Sequence, residues 1–288
     1  MNKLIKALAH DGRIRVYIAN TTDVTNEAIR LHDLYPSAAS VLGKTMTVAL
    51  MMGAMMKGEE ALTIKIDGNG PIGNVIVDSD ALGNVRGYVD RPHVHFSRGQ
   101  KLDDKTTLGY NGYIDVVKDL KLKDLYSSTI PLETGDLAVD FTYYFAKSEQ
   151  TPSIVALGST INEDNTCKVT GGMIIQLMPG AKEEDILYLE EKYEILNNFS
   201  NLLLEHKNLE DIIKLVFNNN YEVLETTDVR FNCDCSKDKF YAGVVSLGKT
   251  EIEDILNTDN QAEVVCHYCN TQYLFTEDDL KDMIKGLK

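Results

Sequence analysis

The chain reads as an α+β protein: an antiparallel-sheet core domain with packed helices, then a helical linker, then a small C-terminal domain built around four cysteines. Three observations predict this. Between residues 62 and 89 apolar and polar residues alternate in short runs broken by Gly-rich turns, the period of half-buried strands joined as a meander. The helical stretches stand apart from those strands instead of alternating with them, which argues against repeated βαβ units. Four of the five cysteines fall into two short-spaced pairs near the end, Cys233-Asp-Cys235 and Cys266-His-Tyr-Cys269.

At 288 residues and 43% hydrophobic content the chain can hold one sizeable core and a satellite domain. The net charge of -15 is uneven: residues 179–288 carry 11 Lys and Arg against 23 Asp and Glu, residues 1–178 carry 18 against 21. Such a balance disfavours a nucleic-acid partner. The start, Met1-Asn-Lys-Leu-Ile-Lys6, does not resemble an export signal, and no apolar run reaches membrane length. A cytoplasmic protein without a membrane partner is expected, its thiols free or metal-bound.

Taken in order, residues 13–19 alternate as a half-buried strand does, and a helix is expected after Thr22 or Thr25. Residues 37–57 follow Pro36 and are apolar on most faces, which predicts a buried helix with Ser37 near its start. It carries Met46, Met51, Met52, Met55 and Met56. Methionine-rich surfaces can re-pack against varied partners, but at helical spacing core filling is the expected role. Residues 62–67, 74–78 and 84–89 predict the strands of the meander. Further strands are expected over 112–117, 153–158 and 172–178, with a helix at about 137–148. His93 and His95 would share one face of a strand, yet no third donor lies nearby, so surface or half-buried histidines are expected rather than ligands.

Two patterns imitate nucleotide sites. Gly68-Asn-Gly70-Pro-Ile-Gly73 matches the dinucleotide fingerprint, but a strand follows it where a helix N-terminus is needed, so hairpin punctuation explains it. Gly243-Val-Val-Ser-Leu-Gly248-Lys249-Thr250 matches a P-loop, but it follows a helical stretch and its intervening residues are bulky. Thr250-Glu-Ile-Glu253 reads as a capping box, with Gly248 ending one helix and Thr250 starting the next. The Gly43-Lys-Thr45 triplet lacks the first glycine.

Pro179-Gly180 closes the core domain, residues 1–178. Over residues 179–230 the pattern turns acidic and helical, with Ile186, Leu189, Tyr193, Leu196 and Leu203 on one stripe. A second helix from Asn208 would bury Leu209, Ile212, Ile213 and Val216. Stripes this narrow leave little core of their own, so these linker helices are expected to lie against the core domain.

Residues 231–288 hold Phe231-Asn-Cys233-Asp-Cys235-Ser236 and Cys266-His-Tyr-Cys269-Asn270. Soft thiolates in fours suit zinc, so one Zn2+ per reduced chain on Cys233, Cys235, Cys266 and Cys269 is expected. Most structural zinc sites supply both pairs as C-x2-4-C, whereas only Asp234 separates the first pair here. Thiolates so close are also oxidation partners, and on spacing alone a structural zinc that never moves stands level with one released by oxidation. Four cysteines close the site and no Glu or His is poised as a base, which argues against a metal-dependent hydrolase and against an enzyme. A constitutive zinc-ribbon adaptor for one defined protein partner is the alternative to a switch.

The constellation, with Cys235-Ser-Lys upstream and Ala262-Glu-Val-Val-Cys266-His-Tyr-Cys269-Asn-Thr-Gln-Tyr-Leu-Phe275 downstream, resembles the redox-switch domain of the bacterial thirty-three-kilodalton heat-shock chaperonins. Asp140-Phe-Thr-Tyr-Tyr-Phe-Ala-Lys-Ser-Glu-Gln-Thr-Pro-Ser-Ile-Val-Ala-Leu-Gly158 and Gly171-Gly-Met-Ile-Ile-Gln-Leu-Met-Pro-Gly180 are similar to that family's core segments, so the resemblance spans nearly the whole chain. It implies a redox-regulated, ATP-independent holdase, dormant while reduced and zinc-bound. Oxidation to disulfides among Cys233, Cys235, Cys266 and Cys269 would release zinc and activate it. The resemblance also implies unfolded or partly unfolded client proteins as partners, a linker controlled by the zinc site, and a homodimer at least when oxidised. Cys167 has no counterpart in that switch and is expected to be dispensable to it.

Overall fold

The structure, a computed structural model, describes residues 2–99 and 101–287. The chain divides into two compact units, Met1–Asn232 and Cys233–Lys288. The first opens with strands β1 (Lys3–Ala9) and β2 (Ile14–Asn20), helices α1 (Thr22–His32) and α2 (Pro36–Gly53), and the meander β3 (Ala61–Asn69), β4 (Asn74–Asp80) and β5 (Asn84–Val89). Short pieces follow: β6 (Ser97–Arg98), β7 (Lys101–Leu102) and α3 (Asp104–Leu108). Then come β8 (Gly109–Asp119), β9 (Tyr126–Leu132), α4 (Leu137–Lys147), β10 (Ser153–Ile161) and β11 (Cys167–Leu177). Four short helices, α5 (Glu183–Glu191), α6 (Tyr193–Leu196), α7 (Phe199–Glu205) and α8 (Leu209–Phe217), lead to β12 (Tyr221–Asp228) and β13 (Arg230–Phe231). The second unit holds α9 (Lys237–Val245), α10 (Lys249–Asp259), β14 (Ala262–Val265), β15 (Gln272–Phe275) and α11 (Glu277–Gly286).

Two sheets, ordered β10-β11-β2-β1-β12 and β13-β5-β4-β3-β8-β9, build the first unit; apart from the parallel β13–β5 pair, their ladders are antiparallel. The α+β expectation holds. Helix α2 packs against strands of both sheets, and every residue from Ser37 to Gly53 except Lys44 is buried. Its sequence allows this because the buried hydroxyls are satisfied within the helix: Thr45 donates to the Val41 carbonyl and Thr47 to that of Gly43. Met46, Met51, Met52 and Met56 are core residues, as helical spacing implied. The helix ends at Gly53, four residues before the expected end. A Cβ on Gly53 would stand 2.3 Å from the Asp80 carbonyl oxygen, and this close approach turns the chain into i→i+3 bonds from Met55 and Met56.

The five-stranded sheet is apolar on both faces. Toward α2 it turns Leu4, Tyr17, Ala19, Val155 and Ile174. Toward the other side it turns Ile5, Ala7, Val16, Ile18, Met173 and Ile175. The second face is roofed by α5–α8, which contribute Leu189, Leu196, Phe199, Leu202, Leu203, Leu209, Ile212, Ile213, Val216 and Phe217, all buried. Asn208 caps α8 by accepting from the Glu210 N–H, and the four apolar positions expected of this helix are buried. The stripe expected upstream is broken: Ile186 and Tyr193 are 44% and 56% exposed. Separate short helices restart the helical phase, so one stripe cannot run through them.

Asp185 anchors the head of this roof. Its fully buried carboxylate accepts from Arg13 Nε (2.8 Å) and Nη2 (3.1 Å), lies 2.8 Å from His10 Nδ1, and takes the Lys182 backbone N–H at 2.9 Å. Hydrogen bonding to Arg13 holds the Asp185 carboxyl well below the usual carboxylate range. His10 in turn meets Tyr188 and Phe217 edge-on, so the β1–β2 turn grips both ends of the helical layer.

Strand β12, which no sequence pattern announced, pairs antiparallel with β1 along its length. In the second unit only Val244, Ile252, Phe275, Leu280 and Met283 form the buried cluster among the described residues. The expected capping box at Thr250 is corrected: α10 is capped two residues earlier, on Gly248 at φ 89°, with no side-chain cap. The capping box of this unit is Thr276 with Asp279, at the head of α11, a helix not expected from the sequence.

Candidate metal centre

Two turns of the second unit bring the cysteines together. Cys233 and Cys235 lie on the extended segment ahead of α9, which starts where the Ser236 hydroxyl accepts the Lys239 N–H. Lys239 Nζ also donates to the Asp234 carbonyl, fixing the residue between the two sulfurs. Cys266 and Cys269 form the β14–β15 turn. There the Cys266 N–H donates to Thr271 O (2.9 Å) and the Asn270 N–H to Cys266 O (2.8 Å), closed by Asn270 in the left-handed region at φ 55°.

All four sulfurs lie within 4.8 Å of one another and could hold a metal ion. Cys233 Sγ to Cys266 Sγ is 3.7 Å, and Cys235 Sγ to Cys269 Sγ is 3.3 Å. A tetrahedral cation with thiolate bonds of about 2.3 Å sets its sulfurs about 3.8 Å apart, so the quartet fits such an ion with little adjustment. Cys266 is buried and the other three are half-buried, a site closed by protein but reachable from water.

The surroundings act unequally on the thiols. Burial pushes Cys233 up to about 12 and raises Cys235 as well. Burial acts the same way on Cys269, yet the Thr271 hydroxyl, 3.2 Å from its sulfur, and the Thr271 N–H outweigh it and bring Cys269 down to about 7. Tyr273 Oη lies 3.1 Å from Cys235 Sγ, and that contact raises the phenol to about 12. A cation entering this set displaces protons, so its hold tightens as pH rises.

The other candidates do not gather into sites. Residues 91–96 are not a strand; His93 pairs with Asp33 and His95 with the Ser37 hydroxyl. Gly243 lies inside α9, and Lys249 opens α10, 3.8 Å from Glu253. The Gly68–Gly73 turn joins two antiparallel strands. Cys167 is buried in β11 with its sulfur 2.9 Å from Thr170 Oγ1, and burial pushes its thiol up to about 11. Tyr273 and Thr271, the hydroxyls on the sulfurs, carry no sequence signal of their own; only the hairpin register, Val264 opposite Tyr273, places the ring.

Comparison with known proteins agrees with this picture. Residues 2–276 match the family model described as Hsp33 protein. The chain is 47% identical to a 33 kDa chaperonin of Bacillus velezensis over 285 residues, 98% of each chain. It is 44% identical to a 33 kDa chaperonin of Staphylococcus aureus, over 99% of this chain and 98% of the relative. The crystal structure of a 33 kDa chaperonin from Thermotoga maritima superposes with a TM-score of 0.92 at 32% identity, covering 99% of this chain and 98% of that one.

Proposed function

Because the chain belongs to the Hsp33 family, we propose that it is a redox-regulated chaperone: an ATP-independent holdase that stays dormant while its cysteine quartet is reduced and zinc-bound. The observation that carries the reading is the quartet itself, set in a unit with five buried apolar side chains. A core that small adds little stability, and a structural zinc supplies on the order of 10 kcal/mol of apparent folding free energy. Zinc is the cation of choice because four soft thiolates in tetrahedral spacing suit it.

Oxidation acts on the same four atoms. Each pair of thiolates gives up two electrons and becomes one disulfide, so hypochlorous acid leaves as chloride and hydroxide, two molecules per quartet. Each oxidised sulfur has its resolving partner two or three residues away, at Cys233 and Cys235 or at Cys266 and Cys269. Without its thiolates the unit loses the cation and unfolds. The roof α5–α8 then leaves the five-stranded sheet, and the bared apolar face takes unfolded or partly unfolded proteins. Cytosolic thiol systems reverse the disulfides, and the oxidised chain acts as a homodimer in the cytoplasm. No described helix is long and apolar enough to cross a membrane.

The test is client aggregation followed by light scattering on reduced and hypochlorite-treated protein, with zinc release recorded in parallel. Suppression only after treatment, in step with release of one zinc per chain, is expected. Equal suppression in both forms would favour a constitutive zinc-ribbon adaptor and sink the switch.

A further inference from the structure

The geometry points to Tyr273 as a positioning residue that delays oxidation of Cys235, an inference that rests on the redox-switch reading above. Its hydroxyl stands 3.1 Å from Cys235 Sγ, and a metal-held thiolate can only accept, so the phenol donates. The ring is not free to leave. It sits on β15 opposite Val264 and packs against Phe240 of α9 at 5.1 Å between ring centres. Cys235 is half-buried, so burial alone does not protect it from a small oxidant, whereas Cys266 is 4% exposed.

Oxidation by a hydroperoxide begins when a sulfur lone pair attacks one peroxide oxygen. The S–O bond forms, the O–O bond breaks, and the second oxygen leaves to solvent as hydroxide; Cys235, two electrons poorer, is then a sulfenic acid. The Cys233 thiolate next displaces hydroxide from that sulfur and closes the disulfide. The Tyr273 hydrogen bond occupies Cys235 electron density that the first step requires, so the bond must lengthen before attack. A charge-assisted hydrogen bond, scaled by the usual sensitivity of sulfur nucleophiles, slows the step by about three- to tenfold.

The experiment treats full-length, reduced, zinc-loaded protein with hydrogen peroxide, following zinc with a chromogenic chelator and trapping each thiol for mass spectrometry at partial oxidation. Tyr273→Phe is expected to release zinc about three- to tenfold faster, with Cys235 oxidised ahead of Cys266 and Cys269, while zinc stoichiometry and the holo melting temperature stay at wild-type values. Tyr241→Phe, which removes a hydroxyl from the same unit without touching a sulfur, keeps the wild-type rate. Replacing Tyr273 by 3-fluorotyrosine sharpens the donor and slows Cys235; this arm decides if Tyr273→Phe fails to hold metal. Unchanged rate and order in both Tyr273 forms overturn the role of Tyr273 alone. So does uniform acceleration at all four sulfurs with a lowered melting temperature, which marks a loosened site. If wild-type thiols survive peroxide with zinc in place, the switch reading falls and this inference with it.

Discussion

The two faces of the five-stranded sheet are equally apolar but are covered in opposite ways. One lies under α2, a single helix of 18 residues buried almost throughout and gripped by both sheets. The other lies under α5–α8, four helices of four to nine residues whose covering side chains come from separate short stretches. Helices this short have marginal stability of their own and persist through tertiary packing. A continuous helix can leave only when the domain unfolds, whereas a segmented layer can leave while the sheet beneath it stays. On the function proposed above, the first face is therefore a permanent core and the second a removable one.

The largest effect expected of that contrast is on oxidation. Hydrogen exchange over residues 182–217 and 233–287 should accelerate by about two orders of magnitude in the oxidised protein, and exchange in α2 and over residues 62–89 should barely change. A roof still protected while holdase activity rises would erase the distinction between the faces. Replacing Cys233 and Cys266 with Ser should abolish the one-zinc stoichiometry and loosen the same residues without oxidant, as elemental analysis and exchange would report.

Two glycines sharpen the contrast without touching a sulfur. A Cβ on Gly158 would stand 2.3 Å from the Ser200 nitrogen at the start of α7, so Gly158→Ala should lift the roof and raise basal activity of the reduced protein, at a cost of about 1–3 kcal/mol. On the opposite face a Cβ on Gly43 would meet Thr25 Oγ1 at 2.8 Å; Gly43→Ala should cost a similar amount in thermal unfolding yet add no basal activity. Equal activity from both variants would show that general loosening, not the roof, uncovers the client surface.

Acid should act next. Asp185 titrates below the usual range when folded, so its contribution to holding the roof is complete above the unfolded carboxylate value of about 4 and is lost as pH falls through the folded value. The protection factors of α5, corrected for the intrinsic pH dependence of exchange, should thus not fall through loss of this carboxylate between pH 6 and 8 and should drop in strong acid, and Asp185→Asn should remove that acid step. The smallest effect is at Cys167, whose raised, buried thiol is a poor target: Cys167→Ser should oxidise and activate as the wild type does. A variant that failed to activate would add a fifth thiol to the switch.

Much of this was legible in the residues because the governing signals are local. The meander, helix α4 and the cysteine knuckles each depend on neighbours in sequence. So does α8, whose cap and apolar positions sit within ten residues. What escaped depends on distant partners. β12 alternates weakly, with most of its residues exposed, and exists because β1 offers an edge. The roof stripe failed at Ile186 and Tyr193 because the sheet, not a helical repeat, decides which side chains it receives. Thr250 failed as a cap because Gly248, at a positive φ, caps the helix two residues earlier.

An uncovered Met173–Ile175 face also has a kinetic identity. Capturing a client is first order in this chain, while pairing with another uncovered copy is second order, so the outcome depends on concentration as well as on affinity. If both events use the same face, the share of oxidised chains that hold client falls as the protein is concentrated against a fixed, excess concentration of client. If the homodimer forms elsewhere, that share stays constant. A dilution series with multi-angle light scattering separates the two. In the first case the dimer is a storage form, and the protein guards against its own aggregation by the same contact with which it prevents that of others.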